Sequence, residues 1–139
     1  MSKAPLCARL GSNRGPKMVQ WQKSREFKRL LIADEWKTPD TYGNEFEIEP
    51  DGPGIYLFLS HDSDTFLECF PAYVGMSKRV QQRWQGHSVL SVLSQTNYWC
   101  QKWFKHVTPS RLRDIERTYI NKFEPPFNLI GIKRGLCLL

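Results

Sequence analysis

The sequence predicts an α+β fold, because three strand-like segments and several amphipathic helical segments share a chain of 139 residues. Residues 54–59 are apolar on both faces, as in a central strand, and residues 70–76 form a second, largely apolar segment. Residues 98–107 are rich in aromatic side chains and suit a third strand. A chain of this length is expected to form one domain with a core and an extension, rather than two domains.

The part of the chain before that domain is expected to be a basic, helical extension. Residues 1–16 contain glycine, serine, asparagine and proline and are predicted to be a flexible arm, whereas the apolar spacing of residues 17–33 predicts a helix. Residues 37–53 carry three prolines, two glycines and several acids, which indicates a linker. We therefore divide the chain into an extension, residues 1–50, and a main domain, residues 51–139.

The net charge of +6 is distributed unevenly along the chain. Two basic regions flank an acidic one, residues 38–70, which contains no lysine or arginine. This pattern favours a surface that binds a polyanion such as nucleic acid, although an ordinary solvated surface is the alternative. The candidate nucleic-acid contacts are Lys23, Arg25, Lys28 and Arg29 of the first predicted helix, with Lys78 and Arg79.

The cysteines and the hydropathy pattern restrict the class of protein. Cys7, Cys69, Cys100 and Cys137 form no C-x-x-C pair, so a zinc finger is not expected. The amino terminus lacks the apolar region of a signal peptide, and no apolar run approaches the length of a membrane span. We expect a cytoplasmic protein with reduced thiols and no membrane contact.

The second predicted strand is expected to lead directly into a helix. Alternation places one set of strand side chains on one face: Ala72, Val74 and Met76. Tyr73 and Gly75 then lie on the opposite face.

That helix is expected to begin at Lys78, with Ser77 as its N-cap. At about 100° per residue, Arg83 and His87 fall on the face of Trp84, which is expected to be in the core. A cation and an imidazole on a core-facing side suggest that both reach into a cleft. A further short helix is expected to follow immediately, before the third strand.

The last predicted helix carries a carboxylate on its apolar stripe. The helix is expected to start at a Thr-Pro-Ser sequence, with Pro109 in its first turn, and to end before two consecutive prolines. Glu116 lies between Leu112 and Ile120 in projection, so it needs a metal ion, an arginine or several hydrogen-bond donors as a partner. Asn128 follows the helix and opens an apolar segment.

Taken together, these features resemble the GIY-YIG endonuclease superfamily over about residues 53–131. The two strand motifs have tyrosines, Tyr56 and Tyr73, that can share a face of the sheet. The matching positions in chain order are Gly54-Ile55-Tyr56, Tyr73-Val74-Gly75 with Val for Ile, Arg83, His87, Glu116 and Asn128.

The resemblance implies a small mixed or antiparallel sheet of three strands flanked by helices. It also implies a metal-dependent endonuclease that hydrolyses phosphodiester bonds of DNA with one Mg²⁺ or Mn²⁺ ion. Glu116 would be the sole protein ligand of that ion, which suits a hard cation that keeps most of its waters. Arg83 would hold the phosphate, because a guanidinium offers two-pronged hydrogen bonds.

The remaining roles implied by the resemblance concern protons and positioning. Tyr73 is the candidate general base, with Tyr56 nearby to position water or phosphate. His87 would share in proton transfer or hold Tyr56 or the phosphate. Asn128 would hold the site in shape or contact the scissile region.

Two departures from the family pattern and several alternatives stay open. The interval between the two tyrosines is long, so residues 61–68 form an insertion that could contact substrate, and Met76 stands where some members carry Lys or His. The alternatives are a non-catalytic nucleic-acid-binding module, an RNA-directed nuclease whose tryptophans stack bases, and a plain ion pair between Glu116 and Arg83. The preferred class is a restriction-type or mobile-element nuclease, acting as a homodimer on symmetric duplex sites.

Overall fold

The computed structural model describes residues 19–39 and 52–128. The predicted arm, most of the predicted linker and the boundary between residues 50 and 51 lie outside these residues. In chain order the elements are β1 (Gln22–Lys23), α1 (Ser24–Ala33), β2 (Gly54–His61), β3 (Glu68–Ser77), α2 (Val80–Trp84), α3 (Ser88–Leu93), β4 (Trp99–His106), a 3₁₀ turn (Pro109–Arg111) and α4 (Leu112–Phe123). The predicted α+β class is confirmed.

The sheet has four antiparallel strands in the order β1-β3-β2-β4, so the expectation of three strands is wrong. The fourth strand is β1, which pairs with Cys69 and Glu68 of β3. Because β1 is extended, the helix predicted from residue 17 begins only at Ser24. The three strands predicted from sequence are present, each with ends within two residues of the prediction.

The alternating side chains of β2 divide the core into two layers. Tyr56 and Phe58 point to one side, called here the tyrosine face, and this face is covered by α2 and α3. Ile55, Leu57 and Leu59 point to the other side, called here the opposite face, and pack against α1 and α4. None of the helices within the two described ranges is long and apolar enough to cross a membrane.

A register shift in the β2–β3 ladder changes which residues share a face. The shift lies between Phe58 and Leu59. Ala72 therefore packs in the same cluster as Tyr56, whereas Val74 packs on the opposite face. The prediction that Ala72 and Val74 face the same way is wrong, because simple alternation does not hold across a bulge.

The first of the two helices predicted between β3 and β4 is shorter than expected, and the second, predicted over residues 88–96, is present as α3. The first, α2, begins at Val80 and not at Lys78, and the hydroxyl of Ser77 accepts a hydrogen bond from the Arg79 N–H at 2.9 Å. It ends at Trp84, and Gly86 has a φ of 69° in the turn that follows. Glycine adopts this left-handed conformation without steric cost. His87 consequently opens a new helix, α3, instead of continuing α2.

Candidate active site

The two strand tyrosines lie together on the tyrosine face, as predicted, with ring centroids 6.2 Å apart. Tyr56 is buried and lies across Gly75, its partner in the neighbouring strand. A Cβ atom at position 75 would overlap the Cζ and Oη atoms of Tyr56, so only glycine leaves room for this ring. Phe58 stacks on the other tyrosine, Tyr73, with ring centroids 5.9 Å apart.

His87 is buried against both tyrosines and uses both ring nitrogens. Its Nε2 atom lies 2.8 Å from the hydroxyl oxygen of Tyr56. Its Nδ1 atom accepts a hydrogen bond of 3.1 Å from the backbone N–H of Val89, as the N-cap of α3. Burial and then the charge of Arg83 lower the pKa of His87 to about 4, so the ring is neutral at neutral pH. A neutral ring that accepts at Nδ1 must carry its proton on Nε2 and donate it to Tyr56.

The two phenols have different surroundings. Burial is the main cause that raises the pKa of both Tyr56 and Tyr73, and the charge of Glu116 adds to it. The charge of Arg83 lowers both. The neighbouring hydroxyls also act on each other, raising the pKa of Tyr56 and lowering that of Tyr73.

Arg83 lies at the solvent side of this cluster. The prediction that it shares a helix face with His87 is wrong, because the turn at Gly86 separates the two residues into different helices. The Arg83 side chain is exposed, yet its charge acts on His87 and on both tyrosines. The Arg83 guanidinium is therefore near the tyrosine cluster, but it does not lie beside His87 on a shared helix face, as helical periodicity predicted.

Glu116 is half-buried on α4, and burial raises the pKa of its carboxyl, while Arg113 and Arg117 act to lower it. Within the described residues, its carboxylate makes no hydrogen bond or ion pair, and it is not paired with Arg83. The simple ion pair considered from the sequence is thus not formed. A half-buried carboxylate without a direct partner is suited to hold a cation.

A divalent cation in this site would have few protein ligands. No group of three or more His, Cys, Asp or Glu side chains comes together in the part of the chain that the structure describes. Zinc, which takes three or four nitrogen and sulfur ligands, does not fit this donor set. One carboxylate oxygen fits magnesium or manganese, because these hard ions are often held by one or two carboxylates and several waters.

Asn128 is buried and clamps the edge of β3 beside the site. Its Oδ1 accepts the N–H of Val74 and its Nδ2 donates to the carbonyl of Val74, both at 2.7 Å. These two bonds satisfy the backbone groups of the residue next to Tyr73. The side chain is therefore placed to hold the site in shape.

The candidate nucleic-acid contacts are not all near this cluster. Lys78 and Arg79 are exposed and follow the end of β3 directly, three and four positions after Gly75. The four basic residues of β1 and α1 lie on the edge strand of the sheet and on the helix that packs against the opposite face. They are Lys23, Arg25, Lys28 and Arg29.

Most of the aromatic residues considered for base stacking belong to the core. Trp84, Trp103 and Phe104 are buried, as the sequence favoured. Trp99 is half-buried, with the Lys28 ammonium 5.9 Å from its ring centroid.

Comparison with known proteins gave no matching family model, no matching curated sequence and no matching solved structure. The resemblance to the GIY-YIG superfamily therefore depends on the motif residues and their arrangement. Two residues of the cluster were not singled out from the sequence, Phe58 under Tyr73 and Val89, whose N–H fixes the His87 ring. Strand alternation from Tyr56 indicates the first; no sequence signal indicates the second.

Proposed function

We propose that this protein is a divalent-metal-dependent endonuclease of the GIY-YIG type that hydrolyses phosphodiester bonds in DNA. The observation that carries the proposal is the cluster of two phenols and one imidazole, with the charges of Arg83 and Glu116 acting on both phenols. Five residues separated by up to 60 positions of sequence meet in this cluster, from five different parts of the fold. A purely structural role explains the burial of Tyr56, but not an unpaired carboxylate beside it.

The hydrogen-bond directions support Tyr73 as the general base. Because His87 donates to Tyr56, Tyr56 cannot pass its proton to His87, so the imidazole is not placed to make Tyr56 the base. A phenolate on Tyr73 would be stabilised by the charge of Arg83 and by the neighbouring Tyr56 hydroxyl. Tyr73 is also the more accessible of the two phenols, as a residue that takes a proton from water must be.

Arg83 and Glu116 fit complementary roles around the phosphate. The exposed guanidinium can hold two non-bridging oxygens and stabilise the charge of the pentacovalent transition state. Glu116 would hold the cation, Mg²⁺ or Mn²⁺, which when bound supplies charge stabilisation and an acidic water. With these roles, Asn128 acts through the β3 backbone, as a positioning residue rather than a catalytic one.

The test is cleavage of supercoiled plasmid by the full chain, with Mg²⁺, with Mn²⁺ and with EDTA. Glu116→Gln and Arg83→Ala should each reduce the cleavage rate by roughly 10²- to 10³-fold, the range for loss of one stabilising group. Asp114→Asn, an exposed carboxylate on the same helix, is the matched control and should cut normally. Equal cutting by Glu116→Gln and the unsubstituted protein would overturn the proposal.

The same experiment separates the remaining alternatives. Binding of DNA without cutting in either metal would favour a non-catalytic module, and faster cleavage of RNA than of DNA would favour an RNA-directed nuclease. Discrete DNA fragments would favour a restriction-type or mobile-element enzyme. In that case we expect two copies to act together on a symmetric duplex site.

A further inference from the structure

The loop between β2 and β3 exposes two large apolar side chains at its tip. The exposed fractions are 38% for Phe66 and 70% for Leu67. Phe66 also has a φ of 59°, a left-handed conformation that a bulky side chain rarely adopts. Strain of this kind persists only where the surrounding structure enforces it, and it is concentrated at functional positions.

Hydrogen bonds hold the loop in this conformation. The carboxylate of Asp62 accepts the N–H of Asp64 at 3.1 Å and the hydroxyl of Thr65 at 3.0 Å. The carbonyl of Asp62 accepts the N–H of Phe66 at 2.7 Å, and the carbonyl of Leu67 accepts a backbone N–H from α1 at 2.9 Å. The turn therefore fixes the loop tip with Leu67 largely exposed and Phe66 partly exposed.

The ring of Phe66 packs against Trp99, and Trp99 in turn lies close to Lys28 of the basic helix α1. The Phe66 and Trp99 rings meet edge to face with centroids 5.6 Å apart. The ammonium of Lys28 in turn lies 5.9 Å from the Trp99 ring centroid. Apolar, aromatic and cationic groups thus form one continuous patch at this end of the sheet, called here the loop patch.

Positive charge adjoins the loop patch on the side of α1. Arg25 and Arg29 are exposed on α1 and make no ion pair among the described residues. The nearby Glu26 is offset by Lys23, whose ammonium lies 3.9 Å from its carboxylate. The loop side carries three carboxylates: Asp62 is buried and hydrogen-bonded within the turn, Asp64 is exposed and Glu68 is half-buried. The exposed cations available to phosphates therefore lie on α1.

We propose that the loop patch is a second DNA contact, in which Phe66 and Leu67 insert against bases while the cations of α1 contact phosphates. Apolar wedges beside basic side chains are a common way to grip a nucleic acid. A protein partner would need an apolar area larger than two side chains, and α1 presents charge around them. The inference rests on DNA as the substrate of the proposed function.

The loop patch is far enough from the tyrosines to be a separate contact. Tyr73 lies five positions along β3 from Glu68, at the loop. At about 3.3 Å per residue this is roughly 17 Å, or about half a turn of B-form DNA. The two surfaces can therefore contact different parts of one substrate.

The experiment measures binding separately from cutting, by fluorescence anisotropy of a labelled duplex of about 30 base pairs with the full chain in EDTA. The test variant is Phe66→Gly combined with Leu67→Ser, because glycine also accepts the positive φ and the fold should be retained. Affinity should fall by roughly five- to hundredfold, the range for lost base contacts. The matched control is Leu30→Ser, which removes a leucine 66% exposed on another part of α1 and should leave affinity unchanged.

Salt dependence and cleavage complete the test. Arg25→Ala should reduce the slope of log affinity against log salt by about one, whereas the loop variant should leave the slope unchanged. Equal affinity of the loop variant and the unsubstituted protein would overturn the inference, as would binding of phosphatidylserine vesicles that depends on Phe66 while DNA affinity does not. If DNA affinity depends on the loop but the protein does not cut plasmid, only the nuclease proposal is contradicted. If the protein cuts plasmid but its DNA affinity does not depend on the loop, only the proposed role of the loop patch is contradicted.

Discussion

Replacing Asn128 with alanine tests how strongly the site depends on one amide. The Asn128 side chain is buried and makes both of its hydrogen bonds, at 2.7 Å each, to the N–H and carbonyl of Val74. Asn128→Ala leaves these two backbone groups buried without partners. At about 1–3 kcal/mol for each unsatisfied buried group, we expect a loss of roughly 2–6 kcal/mol in the free energy of unfolding. This is a large part of the stability of a typical domain.

The substitution Asn128→Asp makes the same argument sensitive to pH. The introduced carboxylate keeps the acceptor for the Val74 N–H but loses the donor to the Val74 carbonyl. Only the protonated carboxyl can replace that donor, so folding should raise its pKa above the unfolded value. The folded state then binds more protons than the unfolded state, and stability should decrease as pH rises through this window. The defect relative to the unsubstituted protein should be smaller at pH 4.5 than at pH 7.

Urea denaturation followed by tryptophan fluorescence measures both variants. The matched control is Asn97→Ala, an exposed asparagine whose replacement should change stability by no more than about 0.5 kcal/mol. An Asn128→Ala protein as stable as this control would refute the claim that the amide holds the β3 edge. A pH-independent defect in Asn128→Asp would refute the assignment of its nitrogen as the donor to Val74.

Three further predictions concern the tyrosine cluster. Gly75→Ala should destabilise the fold by about 1–3 kcal/mol and change near-UV circular dichroism, since the added Cβ overlaps the Tyr56 ring; an unchanged spectrum would contradict this. Tyr56→Phe leaves the buried Nε2–H of His87 without an acceptor and should cost about 1–3 kcal/mol, whereas Tyr73→Phe should cost less and lower kcat more. The reverse order in urea titrations and single-turnover rates would refute the assigned base. Because burial lowers the pKa of His87 and of His61 to about 4, the unfolded state binds more protons between about pH 6.5 and 4, and stability should fall as pH falls. His87→Gln should make the fall of Tm with pH less steep, and an unchanged slope would count against a neutral ring.

Short-range sequence patterns predicted which strands and helices are present better than they predicted the residues at which these begin and end. Residues 54–59 and 98–107 were identified as strands because apolar and aromatic composition reports directly on burial. The two-residue β1 was missed, since its backbone is extended only through pairing with a strand 46 residues further along the chain. The register shift at Phe58 was missed for the same reason, because a bulge depends on the partner strand.

The composition of the candidate site was predictable from sequence, but its geometry was only partly so. Tyr56 and Tyr73 share a face, and Glu116 lies half-buried beside them, as spacing along strands and helices indicated. Helical spacing also predicted that Arg83 and His87 lie on one helix, and this prediction is wrong. Periodicity applies only while a helix continues, and a single glycine in a left-handed turn ends it.

The break at Gly86 gives His87 a property that an uninterrupted helix could not provide. In the interior of a helix, the N–H of residue 89 would bond to a backbone carbonyl and not to a side chain. As the N-cap of α3, His87 instead receives that N–H on Nδ1, which fixes its proton on Nε2 and directs it at Tyr56. The direction of the His87–Tyr56 hydrogen bond, on which the proposal of Tyr73 rather than Tyr56 as the base rests, therefore follows from the turn that ends α2.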